Sequence, residues 1–336
     1  MINRAPQISI IIVTWNSIKF LPPLFDSLKN QTKLHFEIVV VDNGSSDNSV
    51  SWIEKNYPTT VLLRNTENLG FAAANNQGIK MSKAPYVILC NTDIVMDNNY
   101  VEELYEAIDN NPKIGSIGGK LLKADQDLNN IGDSDTIDST GIALYKSRRA
   151  IDRGENDKDT GQFDISDEVF GISAALVMYR KDALDAVCVN DQYFDESFFS
   201  YKEDIDLAWR LQLYGYSSKY ISSARALHAR GVSRKTDISD KGTIINRQSK
   251  SPKANYLSYR NHFYVLIKNE DWKNIFLNPF LIWYEWKKFI YLLIREPTSL
   301  KGIFSFYRNL PQMLKKRNEI RIRSKTSNKY LSKWFQ

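Results

Sequence analysis

Carboxylates and amides stand directly after three apolar runs: Thr14-Trp15-Asn16 follows residues 8–13, Asp42-Asn43-Gly44 follows residues 37–41, and Asn91-Thr92-Asp93 follows residues 87–90. Asp42 is able to accept two hydrogen bonds from a base or ribose edge, and Asn43-Gly44 supplies the tight turn that exposes it. The alternative is a helix cap, for which Ser45, Ser46 and Asp47 also qualify. Asp93 is a hard oxygen ligand suited to Mg²⁺ or Mn²⁺ already coordinated by phosphates. A nucleotide diphosphate needs base, ribose and phosphate contacts side by side, and three polar strand ends on one sheet edge would supply them. The stretch from Asn68 to Gly78 places Gly70 where backbone passes close to a ligand, then opens a small-residue helix in which Gly70 and Asn75 serve either binding or packing. Neither GxGxxG nor GxxxxGK[ST] occurs, so the glycine loop that a dinucleotide oxidoreductase or a P-loop NTPase needs is missing.

These residues require a sheet to position them. Residues 8–120 alternate Val/Ile-rich runs with helical patterns such as Phe20, Leu21, Leu24, Phe25 and Leu28, an α/β signature. Runs without sustained period-2 alternation imply strands covered on both faces, hence a mostly parallel sheet flanked by helices. Residues 125–167 are polar and Asp/Gly-rich and read as a long surface loop of the kind that carries substrate contacts. Regular pattern resumes over residues 168–179, the stretch 202–214 is helical, and everything after His228 reads as helix.

Composition narrows the class. With 336 residues, 43% hydrophobic and 25% charged, the chain buries a real core. Cys90 and Cys188 form no disulfide framework, which points to a reducing compartment, and residues 8–13 are too short for a signal-peptide core. The net charge of +6 is a property of the tail: residues 271–336 hold 14 Lys and Arg against 4 Asp and Glu, leaving residues 1–270 at −4. Residues 275–294 are apolar and aromatic, but Glu285, Lys287 and Lys288 interrupt them, and each charge would cost about 2.5–3.5 kcal/mol at a bilayer centre. That segment fits a helix lying in the interface of a membrane, or one capping the protein's own core. Lys315-Lys316-Arg317, Arg321 and Arg323 favour an anionic lipid surface over nucleic acid.

With these residues assembled, residues 7–232 resemble the family 2 glycosyltransferases of the GT-A fold, and among them the bacterial rhamnosyltransferase-like branch. The match rests on residues 10–16, 41–47, 68–78, 91–93 and 194–210 in that order. The resemblance implies an α/β fold, a Rossmann-like mixed sheet flanked by helices, with residues 1–235 catalytic. Residues 1–120 would bind the nucleotide sugar, 121–235 the acceptor, and 236–336 would form a helical, membrane-associating extension. It implies that Thr14, Asn16 and Asp42, with Gly70, Asn75 and Thr92, hold the nucleotide. Asn91 and Asp93, with His228, would stand at a divalent metal, Mg²⁺ or Mn²⁺. Asn91 departs from the family's DxD, so Asp93 alone keeps a carboxylate there.

Glu203-Asp204 resembles the family's ED pair, whose Asp is the general base that an inverting transfer requires. Read without the family, Glu203, Asp204 and Asp206 are an acidic first turn, and Asp206 with Arg210 is taken as a solvent-facing i,i+4 pair. By the same resemblance Gly171 and Ser173 lie near the sugar, and Trp209 and Arg210 line the acceptor side, with core packing the alternative for Trp209. Arg230 and Ser233 flank His228 in its segment. The implied reaction moves a sugar, read as rhamnose, from a dTDP- or UDP-linked donor to a glycan or lipid-linked glycan at the inner face of the membrane. Two rivals are a sugar-phosphate nucleotidyltransferase, whose Gly-rich basic loop residues 14–17 lack, and a non-catalytic binding protein on the same fold.

Overall fold

The computed structural model describes residues 5–32, 35–124, 134–229, 240–326 and 328–336. The Val/Ile-rich runs form β1 (Ile8–Thr14), β2 (Phe36–Asp42), β3 (Val61–Arg64) and β4 (Tyr86–Cys90), with helices α1 (Leu21–Lys29), α2 (Ser49–Asn56) and α3 (Phe71–Met81) between them. Such crossovers make the four strands parallel, in the order β4-β1-β2-β3. Side chains on β1 alternate between two layers. Ile8, Ile10 and Ile12 pack with α1 and α4 (Tyr100–Asp109), whereas Ile11 faces the layer that holds α3.

Beyond β4 the sheet becomes mixed. The next strands are β5 (Ile94–Met96), β6 (Ile114–Lys123), β7 (Ile137–Ser139), β8 (Ile142–Leu144), β9 (Ala150–Asp152), β10 (Asp167–Val169) and β11 (Leu176–Arg180). Helices α5 (Lys181–Val187) and α6 (Glu203–Leu213) then precede β12 (Ser217–His228). β11 runs antiparallel to both β4 and β6, and β12 is parallel to β6 and antiparallel to β5 and β10. β7 pairs antiparallel with β6, and β8 and β9 form a separate hairpin.

The polar stretch expected as a surface loop departs from that expectation. Residues 125–133 lie outside the described residues, but 134–167 contain β7, β8 and β9, and Ile137, Leu144, Asp138 and Thr140 are fully buried there. Strands of three residues are too short to show a period, and polar side chains that are paired inside look, in composition, like a loop. Residues 168–179 likewise split into β10 and β11 rather than forming one run.

The C-terminal helices are α7 (Asp240–Gln248), α8 (Pro252–Asn269), α9 (Trp272–Leu277), α10 (Pro279–Arg295), α11 (Pro297–Arg323) and α12 (Asn328–Leu331). Tyr264 and Val265 of α8, and Phe306, Met313 and Ile320 of α11, share one apolar core with α5 and α6. The cations expected to face lipid are largely spent inside the fold. Lys316 bonds Asp195, Arg317 bonds the carbonyls of Ile267 and Glu270, Arg321 that of Asn269, and Arg323 those of Ala186 and Cys188. The three arginines satisfy carbonyls at helix ends, which is where basic side chains gain most from the helix dipole. No described helix is long and apolar enough to cross a membrane. Burial pushes the Cys90 thiol up, so it is an inert packing residue.

Candidate active site

The carboxyl ends of three neighbouring strands meet at one edge. Thr14 is the register partner of Asp42, and β4, which leads into Asn91-Thr92-Asp93, flanks β1 on its other side. The segment 91–93 is held between two other strands: the Asn91 N–H donates to the Ala175 carbonyl, and the Asp93 carbonyl accepts from the Ala229 N–H, both at 2.9 Å. Pairing of β12 with β5 sets His228 opposite Ile94, so its Nε2 comes within 3.4 Å of Asp93 Oδ1. On the other side of the ring Nδ1 lies 2.8 Å from Asp138 Oδ2, which β7 delivers. Burial is the largest influence on this imidazole and lowers its proton affinity, but Asp138 and Asp93 together reverse the effect and raise it to about 9.

The chain enters α6 through an unusual backbone. Phe199, Tyr201 and Lys202 have φ of 64°, 73° and 71°, a left-handed region that costs non-glycine residues about 1–3 kcal/mol each and persists only where surroundings enforce it. That turn presents Glu203-Asp204 to a cavity of about 400 Å³ lined also by Asn91, Asp93, Ser173 and His228. Asp152 from β9, Tyr201, Lys202, Lys250 and Ser258 also line it. Burial, then the charge of Asp204, pushes the Glu203 carboxyl up to about 8, and its Oε2 has no hydrogen-bond partner among the described residues. Burial, then the charge of Asp152, raises Asp204, whose Oδ1 accepts from the Ile205 N–H at 2.8 Å.

Six residues singled out in the sequence, Asn91, Asp93, Ser173, Glu203, Asp204 and His228, thus line one cavity. Thr14, Asn16 and Asp42 sit beside it on the same sheet edge. Thr14 Oγ1 is buried without a partner among the described residues, Asp42 accepts from the Ser45 N–H, and Asn16 is left-handed with Oδ1 accepting from the Ser46 N–H at 2.7 Å. Thr92 lies between Asn91 and Asp93 and is half-buried. Gly70 makes room for protein: a Cβ there would meet the Phe199 carbonyl at 2.5 Å. Asn75 turns back on its own helix, donating to the Phe71 carbonyl.

Three of the four acceptor residues, Gly171, Trp209 and Arg210, need correction. Gly171 packs against Ala208 of α6, where a Cβ would lie 2.4 Å from its neighbour. Trp209 is fully buried and meets Phe170 edge-on at 5.7 Å. Arg210 is buried too, donating to Asp206 and to the carbonyls of Val187 and Tyr193, so the pair expected to face solvent stands in the core. The helical spacing was right, but α8 and α11 cover the face that faced outward on a lone α6. Arg230 and Ser233 lie outside the described residues. Asp152, Lys250 and Ser258 went unnoticed because no spacing links them to Asp93 or Asp204.

The donor set suits a hard divalent cation held jointly with a ligand. Asp93 and His228 offer one oxygen and one nitrogen, and among the described residues no cluster of three His, Cys, Asp or Glu is arranged to hold a metal alone. Diphosphate oxygens and water would complete such a shell. A carboxylate behind the imidazole, here Asp138, is the arrangement that orients a ligating histidine.

Residues 9–188, more than half of the chain, match the glycosyl transferase family 2. The chain belongs to that family. Among curated relatives of this family 2 glycosyltransferase, the Staphylococcus aureus (strain COL) poly-beta-1,6-N-acetyl-D-glucosamine synthase is 28% identical over 201 residues, 58% of this chain. Protein y4gI of Sinorhizobium fredii is 26% identical over 236 residues, 68% of this chain. The chain spans 44% and 25% of those two relatives' lengths. Solved structures share the GT-A fold. S. aureus TarS 1-349 in complex with UDP-GlcNAc is 19% identical with a TM-score of 0.55, over 92% of this chain and 82% of that one. The mannosyltransferase PcManGT from Pyrobaculum calidifontis, in complex with GDP-Man and Mn²⁺, is 15% identical with a TM-score of 0.52, over 90% and 75%.

Proposed function

We propose that this chain is an inverting glycosyltransferase that moves a sugar from a nucleotide diphosphate to a hydroxyl of a glycan or lipid-linked glycan during surface polysaccharide synthesis. One observation carries the reading: Asp93 and Asp204, 111 positions apart in the numbering, open into a single cavity with His228. The acceptor oxygen attacks the anomeric carbon, the bond from that carbon to the diphosphate oxygen breaks, and Asp204 takes the hydroxyl proton. Glu203, kept neutral by burial, spares Asp204 a second negative charge beside it, while burial and Asp152 raise Asp204's own affinity for the proton it takes. Asp93 and His228, with Asn91 beside them, would hold Mg²⁺ or Mn²⁺, which supplies positive charge for the departing diphosphate. Thr14, Asn16 and Asp42 would bind the base and ribose, and Ser173 would face the transferred sugar. Family membership and the UDP-GlcNAc and GDP-Man complexes of the two structural neighbours support a nucleotide-sugar donor. A dTDP- or UDP-linked donor, rhamnose as its sugar, rests on the branch that the sequence resembles.

We place the enzyme peripherally on the inner face of the membrane, where a lipid-linked acceptor would sit. In support, α9, α10 and α11 leave Phe276, Leu277, Phe280, Trp283, Trp286, Leu293, Ile294 and Phe304 exposed.

The test is a panel of nucleotide sugars assayed with and without Mn²⁺. One donor is expected to stabilise the protein and to release nucleoside diphosphate in the presence of acceptor. Asp204→Asn should bind that donor as tightly and lose about 10²–10⁴-fold in turnover. Undiminished turnover in Asp204→Asn would remove Asp204 as the base, and nucleotide triphosphate use with pyrophosphate release would favour the nucleotidyltransferase.

A further inference from the structure

The three left-handed residues before α6 need a physical cause, and α8 provides one. Asn261 is fully buried, and its Nδ2 lies 3.0 Å from the Phe198 carbonyl, 2.9 Å from that of Ser200 and 2.8 Å from that of Tyr201. Which end of the amide points at the loop is fixed independently, since Arg260 Nε donates to Asn261 Oδ1 at 3.0 Å and a guanidinium has no acceptor. Arg260 Nη2 also reaches the Ser197 and Phe198 carbonyls. The opposite side of the loop is held by α3, whose Ala72 N–H donates to the Phe199 carbonyl at 3.2 Å, and Gly70 leaves the space for that approach. Carbonyls 198, 200 and 201 converge on one amide across a turn in which Phe199 and Tyr201 have positive φ, and Lys202, also at positive φ, leads from it into α6. The same backbone turns Glu203-Asp204 into the cavity.

We infer that Asn261 is a positioning residue for the transfer reaction, holding the turn that aims Asp204 at the acceptor hydroxyl. The inference rests on the reading of Asp204 as the base, and it makes a helix of the C-terminal region part of the catalytic apparatus. A donor bound at the strand ends does not touch Asn261, so losing the clamp should act on turnover rather than on donor binding.

The experiment compares full-length wild type, Asn261→Leu, Asn261→Gln and Asp204→Asn by steady-state kinetics and by amide hydrogen exchange without substrates. Asn261→Leu should lower kcat by about 10²-fold with the donor KM within about twofold, because a misplacement of order 1 Å has that effect. Exchange should quicken over residues 198–204 while β1 and β4 keep their protection. Asn261→Gln, which retains the donor group, should recover part of kcat. Equal acceleration of exchange throughout the sheet would show an ordinary core residue and overturn the inference, as would normal kcat in Asn261→Leu. Full activity of Asp204→Asn sinks the base assignment instead, and the exchange pattern then still reports whether Asn261 holds the turn.

Discussion

At neutral pH the adjacent carboxyls of Glu203 and Asp204 cannot both ionise cheaply, and their surroundings decide where the proton stays. Both line the cavity and both are raised by burial, but Glu203, 6% exposed and with an oxygen unpartnered among the described residues, is raised further by the charge of Asp204, which accepts from a backbone N–H. The proton therefore rests on Glu203, whose value moves from the ordinary 4.5 to about 8. Between those two values the folded chain keeps a proton that the unfolded chain has released, so stability must fall as pH rises through the window. Glu203→Gln preserves the shape and the neutral state. Its urea midpoint is expected to decline less than that of wild type between pH 4.5 and 8. Parallel declines would show that Glu203 is ionised in the folded protein.

Around α6 the elements are locked by charge. Lys268 of α8 bridges Asp195 and Asp206 at 2.7 and 2.8 Å, Lys316 of α11 bonds Asp195, and Arg210 and Asn269 bond Asp206, all of them buried. Three cations against two carboxylates leave one surplus positive charge. Asp206→Asn doubles that surplus and should cost about 3–5 kcal/mol in urea unfolding, the usual result of stranding a buried charge. Lys316→Met removes the surplus and should cost markedly less, and equal losses would mean that packing rather than charge joins these helices. This cluster also shows what the sequence could and could not disclose. The parallel strands and their polar ends were legible because near-continuous apolar runs are local signals. Lys316 was read as a lipid-facing cation and Lys268 drew no notice, because their partners lie 121 and 62 positions away, and no local pattern carries such pairings. Asp138 behind His228 was hidden for the same reason, inside a three-residue strand.

For the whole molecule, the question is what covers the aromatic face of α9 to α11. Phe276, Trp283, Trp286 and Ile294 are between 56% and 70% exposed, and Trp283 stacks on Trp286. The charges around them are sorted by sign. All four acids of residues 271–336 are engaged internally: Asp271 caps α9, Glu285 meets His262 and Lys288, Glu296 meets Arg247, and Glu319 meets Arg323. Lys273, Arg295, Lys301, Arg308 and Lys315 form no ion pair among the described residues. Against a second copy, a two-fold contact would set these cations on one another, whereas anionic lipid headgroups accept them at about 1 kcal/mol each near the surface while tryptophans enter the interface. In vesicle co-sedimentation, wild type should bind phosphatidylcholine weakly and mixtures with phosphatidylglycerol strongly. Trp283→Ser with Trp286→Ser should weaken both by about tenfold per tryptophan. Lys301→Glu with Arg308→Glu should abolish only the preference for the anionic mixture. A dimer in solution that the tryptophan substitutions dissolve, with no vesicle binding by wild type, would assign the same face to self-association instead.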